Sequence, residues 1–183
     1  LEPSSPFRNR ILEIKKAANH SADLTRQLLA FARKQPVAPQ PLNLDLVITE
    51  MLTMLQRLIG ENIQLTMKTA GTELWPVNID PVQINQLLVN LCINARDAIK
   101  DTGTIKIHTE NMALTENSGE KKGQIPSGNY VYLSISDDGI GIPPEQQEII
   151  FEPFFTTKEQ GEGTGLGLAT VHGIVHQNDG YIS

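Results

Sequence analysis

The chain is poor in several things that usually announce a function. Cys92 is its one cysteine, so no disulfide can form within it, and a reducing compartment suits it. No run approaches the roughly 18–20 apolar residues that a membrane-spanning helix needs. Basic charge is not in excess: 15 Lys and Arg against 21 Asp and Glu leave a net charge of −6. That balance argues against broad electrostatic binding to nucleic acid, which needs a basic face. A phosphate-bearing ligand stays open, because a pocket's own donors outweigh the global sign. The first residue is Leu1, no signal-peptide pattern follows, and the chain reads as a piece of a longer protein. What is there is ordinary for a globular chain: 39% hydrophobic and 20% charged over 183 residues. That is enough for one sizeable domain with an appendage.

Pro6 to Gln35 reads as one helix, with Phe7, Ile11, Ile14, Ala18, Ser21, Leu28 and Phe31 near a four–three spacing. So narrow an apolar seam needs another helix to pack on, one from a second chain included, unless the helix lies along its own domain. Pro36, Pro39 and Pro41 read as a short stiff linker, dividing the chain into residues 1–36 and 37–183. Asn43 is placed to cap a helix running to about Ile59, with Leu46, Val47, Met51, Met54, Leu55 and Leu58 inward and Gly60 as its stop. Asn62–Thr69 and Glu73–Ile79 read as strands, Pro76 hinting at an edge or a bulge. Asp80 and Pro81 then suit the N-cap and first position of a helix over Val82–Lys100, whose inward residues are Ile84, Leu87, Leu88, Leu91, Ala95, Ala98 and Ile99. Thr104–Glu110 and Tyr130–Ser136 alternate as strands around a polar hairpin loop, Asn111–Gly128. The order predicts an α+β fold: a two-layer sandwich with a mixed, mostly antiparallel sheet, preceded by one long helix.

Four segments carry chemistry. Asn90 and Asn94 lie four apart on one face of the third helix, where packing does not ask for them and propensity disfavours them. Ser136-Asp137-Asp138-Gly139-Ile140-Gly141-Ile142-Pro143 comes straight off a strand. Its glycines let backbone approach a flat ligand, and a strand-end carboxylate can accept from an exocyclic amine such as adenine's. Guanine presents a carbonyl there, so ATP is expected over GTP. Phe151-Glu152-Pro153-Phe154-Phe155 holds three of the chain's five phenylalanines, and Lys158 after it can reach a phosphate. Gly163-Thr164-Gly165-Leu166-Gly167-Leu168 opens a helix from Leu166 to about His176, presenting N–H groups and a positive dipole end. His172 and His176 share a face on that helix. Two ligands without a third nearby read as surface residues, not a metal site.

Together the four segments resemble the catalytic ATP-binding domain of bacterial two-component sensor histidine kinases over about residues 40–180. They match its N box (Asn90–Ala98), first glycine box (Asp137–Gly141), F box (Phe151–Phe155) and second glycine box (Gly163–Leu168). The N-terminal helix, with Leu24-Thr25-Arg26-Gln27-Leu28-Leu29, is similar to the second helix of that family's dimerisation and phosphoacceptor hairpin. The resemblance implies roles. Asn94 would ligate Mg²⁺, and Asn90 would lie near the phosphates. Asp137 would bind the adenine amine, with Gly139, Gly141 and Ile142 at the base. Lys158, Gly163, Thr164, Gly165, Leu166 and Gly167 would surround the phosphates, and the glycines would hinge a lid from about Glu152 to Thr164. It also implies a homodimer, a response-regulator receiver domain as partner, and a cytoplasmic site of action.

Two departures stand out. A basic residue is usual three positions after the Mg²⁺-binding Asn; here it is Asp97, leaving Arg96, Lys100 or Lys158 to supply positive charge. The chain also stops at Ser183, before the fold's final hairpin. Topoisomerase, mismatch-repair and heat-shock chaperone ATPases share the fold and place a water-activating Glu where this chain has Asn90. An amide cannot act as that base, so the resemblance favours a kinase. An ATPase, an anti-sigma-type serine kinase and a nucleotide-sensing dimerisation module without phosphotransfer are the alternatives. None of His20, His108, His172 and His176 is followed by an acidic residue, so the phosphoacceptor is expected outside this chain.

Overall fold

The computed structural model describes residues 11, 38–69, 71–115, 125–158 and 163–182. Apart from Ile11, the helix expected over residues 6–35, with His20, lies outside the described residues.

Local signals start and stop the first two helices. The Asn43 side chain accepts from the Asp45 N–H at 2.9 Å and caps α1, Leu44–Ile59; Gly60, at φ 96°, ends it. Asp80 does the same for α2, Pro81–Ala98, accepting from the Val82 N–H at 2.8 Å, with Pro81 in the first turn. The inward row of α1 is Leu44, Ile48, Met51, Leu55 and Ile59. Leu46, Met54 and Leu58, expected inward, are 65%, 48% and 36% exposed. Two apolar rows lie side by side on this helix, and hydrophobicity alone does not choose between them; contact with the sheet does.

The main sheet runs β2–β4–β5, from β2 (Ile63–Thr69), β4 (Gly103–Leu114) and β5 (Gly128–Asp137). β2 lies parallel to β4, pairing Ile63 with Gly103, and β4 lies antiparallel to β5, pairing Ile107 with Ile135. The hairpin is longer than expected, since Asn111–Leu114 pairs with Gly128–Val131. Ladder bonds are made by backbone, so this polar stretch extends the strands without an alternating pattern.

Two expectations about the second, smaller sheet are corrected. Gln40–Leu42, read as linker, is a strand, β1, that pairs antiparallel with β3 (Val77–Ile79). Pro41 has no N–H to donate, which a two-stranded edge tolerates. β3 is shorter than Glu73–Ile79 because the Asn111 amide takes the backbone of that segment. Its oxygen accepts from the Trp75 N–H and its nitrogen donates to the Glu73 carbonyl, each at 2.9 Å.

Helices α1 and α2 lie against one face of the main sheet, with Ile48, Leu55, Leu88, Cys92, Ile105 and Ile107 wholly buried between the layers. Thr109, also wholly buried, donates its hydroxyl to Asp45 Oδ1 at 2.5 Å, tying β4 to the start of α1. A third helix, α3 (Gly167–Gln177), packs on α2 through Val171 and Ile174. No helix among the described residues is long and apolar enough to cross a membrane.

Burial raises the Cys92 thiol from its ordinary 9.0 to about 11. The neutral thiol is thus favoured in the folded state, and its contribution to stability is lost as pH rises from 9 toward 11. Subtracting the unfolding free energy of Cys92→Ala from that of the parent at each pH should give a difference that falls across this window. A thiol reagent at pH 8 should leave Cys92 unmodified until denaturant unfolds the chain.

Candidate functional site

Helix α2 is the common reference of the site, because the glycine loop meets it at Ala98, Gly167 at Asn90 and Asn94, and Lys158 at Asp97. Asn90 and Asn94 are half-buried on its α3-facing side. Neither amide makes a side-chain hydrogen bond among the described residues. The start of α3 sits directly against them: a Cβ placed on Gly167 would lie 3.4 Å from Asn94 Nδ2 and 3.6 Å from Asn90 Oδ1. No side chain caps α3, so the first N–H groups of that helix open beside two unpartnered amides. Uncapped N–H groups and the positive helix end suit an anion. The two Asn oxygens are hard donors, which suit a divalent cation that keeps most of its waters.

The carboxylate expected at the ligand's base end is held by a second contact with α2. Off the end of β5, Asp137 Oδ1 accepts from the Gly139 N–H at 2.9 Å, leaving the other oxygen without a protein partner among the described residues. The Ile140 N–H then donates to the Ala98 carbonyl, at the C-terminal end of α2, at 3.1 Å. Gly139 lies so close there that a Cβ would stand 2.6 Å from that same oxygen. Gly141 is different: its φ is +70° and the space around it is open. Gly139 therefore serves loop-to-helix packing, while Gly141 serves the turn. Asp138, which sequence reasoning passed over, anchors the loop from the other side by accepting from the Thr104 N–H at 2.8 Å.

The phenylalanine segment and the last glycine segment are one clamped unit. The Phe154 N–H donates to the Gly165 carbonyl at 2.9 Å. Phe154 has φ 71° and Gly165 φ 65°, and a Cβ on Gly165 would overlap the Phe154 backbone. None of the three phenylalanines plugs the core: Phe154 is 68% exposed, and Phe151 and Phe155 are intermediate. Ile142 is likewise exposed beside the glycine loop. Thr164 Oγ1 accepts from the Leu166 N–H at 3.3 Å, and Leu166 is buried just before α3. Gly163 lies against Thr156 and the stem of Lys158. Of the expected lid, residues 159–162 lie outside the described residues.

Two of the three candidate cations are engaged within the protein. Arg96 pairs with Asp97 and donates to the Leu58 carbonyl at 3.2 Å, and Lys158 reaches across to Asp97 as well. Lys100 is exposed. His172 and His176 face each other with Nε2 atoms 3.0 Å apart, and no group of three metal-ligating side chains occurs among the described residues.

Residues 79–183 match the family described as histidine kinase-, DNA gyrase B-, and HSP90-like ATPase. Sensor kinase CckA of Brucella abortus (strain 2308) is 44% identical over 181 residues, which is 99% of this chain and 19% of that protein. Sensor histidine kinase ZraS of Escherichia coli (strain K12) is 35% identical over 168 residues, 91% of this chain and 32% of that one. The chain thus spans a fifth to a third of the length of these relatives. Among solved structures, the catalytic domain of histidine kinase ThkA is similar at a TM-score of 0.60 and 34% identity, covering 76% of this chain and 81% of that one. ThkA in complex with the response regulator TrrA is similar at a TM-score of 0.70 and 26% identity, over 98% of this chain and 47% of that one.

The glycines separate in a folding experiment without any ligand. Gly139→Ala and Gly165→Ala, which force backbone apart, should each lose about 1–3 kcal/mol in urea unfolding. Gly167→Ala, whose new methyl meets only ordinary contacts, should stay within about 0.5 kcal/mol of the parent.

Proposed function

The chain belongs to the histidine kinase-, DNA gyrase B-, and HSP90-like ATPase family, as a histidine kinase ATP-binding catalytic domain, and from that premise we propose how its residues act. ATP lies with its adenine at Asp137 and its phosphates between α2 and the start of α3, and its γ-phosphoryl group passes to a histidine supplied from outside this chain. The observation that carries this reading is the seating of Gly167 against both Asn90 and Asn94.

The free oxygen of Asp137 accepts the exocyclic amine of adenine, while its Oδ1 stays committed to the Gly139 N–H. Gly139, Gly141 and Ile142 form the wall beside the base. The N–H groups that open α3, with Thr164, Gly165 and Leu166 leading into it, hold phosphate oxygens, and Gly163 and Lys158 border them. Asn94 would hold Mg²⁺, which when bound would supply positive charge to the phosphates. Asn90 offers an amide where hydrolysing relatives of the fold need a carboxylate, so no residue there takes a proton from water. Positioning and charge stabilisation then favour in-line attack by an imidazole nitrogen: the new P–N bond forms as the bond to the ADP oxygen breaks. We read residues 1–36 as the second helix of a dimerisation hairpin and 37–183 as the catalytic domain, acting in the cytoplasm within a homodimeric parent. The downstream partner is a receiver-domain aspartate, a reading supported by the ThkA–TrrA complex among the similar structures.

Incubated with Mg²⁺ and ATP labelled at the γ-phosphate, the parent protein with its upstream helix should acquire an acid-labile, base-stable label. Asn94→Ala and Asp137→Ala should abolish it, and the present chain alone should stay unlabelled. Rapid release of free phosphate with no labelled protein would reject the kinase reading in favour of an ATPase, and ATP binding with neither signal would favour a nucleotide sensor. ATP should also bind more tightly than GTP by about ten- to a hundred-fold, and Asp137→Asn should shrink that ratio.

A further inference from the structure

On the nucleotide reading above, Asp97 acquires a role of its own. Asp97 stands one turn beyond Asn94 on α2, with only 23% of its side chain exposed. Its Oδ1 accepts from Arg96, 2.8 Å from Nε and 2.6 Å from the outer nitrogen, and its Oδ2 takes the Lys158 ammonium. Arg96 is held in place by its further bond to the Leu58 carbonyl. Lys158 comes from the segment that follows the phenylalanines, far from α2 in sequence. Its N–H rests on Thr156 Oγ1 at 3.2 Å, and its stem runs past Gly163. The Lys158 ammonium, expected beside the phosphates, is therefore tied to a carboxylate one turn from the amide expected to meet them.

We propose that Asp97 is a positioning residue: it holds Lys158 against α2 when no nucleotide is bound and competes with the phosphates of ATP for that one ammonium. Two features make the exchange feasible. Both partners are partly exposed, at 32% for Lys158 and 23% for Asp97, and ion pairs of this kind are weak. A triphosphate also carries more negative charge than one carboxylate and offers several oxygens to an ammonium with three donors. Asp97 thus lowers ATP affinity and leaves Lys158 at the mouth of the site, instead of free in solvent. Arg96 stays behind to neutralise the carboxylate once Lys158 has left.

Calorimetric titration of Mg²⁺ and ATP into the chain and three variants tests this. Asp97→Asn should tighten binding about two- to five-fold, and Lys158→Gln should weaken it. In the Lys158→Gln background, Asp97→Asn should bring no gain, with thermal unfolding confirming that every variant is folded. An equal gain in both backgrounds would reduce Asp97 to a general repulsive charge and overturn the proposal, as would unchanged or weaker binding in Asp97→Asn. If the unsubstituted chain fails to bind ATP, the nucleotide reading falls too; if it binds and Asp97→Asn is neutral, only the competition is lost. A second readout needs no nucleotide: the NMR signal of the Lys158 side chain should shift in Asp97→Asn, and an unmoved signal also counts against the pair.

Discussion

At the C-terminal end of α2, the carbonyl of Ala98 accepts a hydrogen bond from Ile140 across a gap that only a glycine at 139 leaves open. The geometry of the site depends on that contact. It fixes where the loop leaving β5 returns toward the helices, while the pairing of Asp137 with Ile105 at the end of the strand sets where that carboxylate starts. Four residues back along the same helix is Asn94, and another four back is Asn90, both facing Gly167. Four helical residues rise about 6 Å. The proposed base end and phosphate end are therefore spaced by one rigid element, α2. A nucleotide is recognised at two ends, and a site built on one helix keeps those ends in register.

What was legible in the sequence was what depends on near neighbours along the chain. Asn43 and Asp80 cap helices through bonds to residues two positions on, and Gly60 ends one through its own φ. The candidate site residues stood out because they violate local preferences: two asparagines inside a helix, paired glycines off a strand, glycines at a helix start. What was hidden depends on partners far away in sequence. Gln40–Leu42 is a strand only because Val77–Ile79 lies beside it, and Glu73–Trp75 is not one because Asn111 holds its backbone. The inward row of α1 was decided by a sheet that local periodicity does not contain.

The glycines carry a finer lesson. A glycine-rich segment invites the reading that backbone must approach a ligand, and Gly141, with its positive φ and open surroundings, fits it. Gly139 and Gly165 instead make room for the protein's own backbone, at Ala98 and Phe154. The ligand wall thus owes its shape to internal packing. The bond between Phe154 and Gly165 also joins the phenylalanine segment to the start of α3, so two of the four segments are mechanically one. Their order in the sequence does not reveal that.

The choice of amides over carboxylates at positions 90 and 94 follows from burial as much as from chemistry. Both side chains are half-buried and unpartnered among the described residues. Two carboxylates four apart on one helix face would repel each other there and lose solvation, whereas neutral amides tolerate partial burial at modest cost. The positive end of α3 is thereby left uncompensated and available to phosphate. An ionised pair at the same positions would neutralise that end from within the protein and oppose the ligand. Asp97, a carboxylate one turn beyond Asn94, is bracketed by Arg96 and Lys158. Its charge is satisfied within the protein, and in the proposed exchange it meets phosphates only as a competitor for one of its own partners.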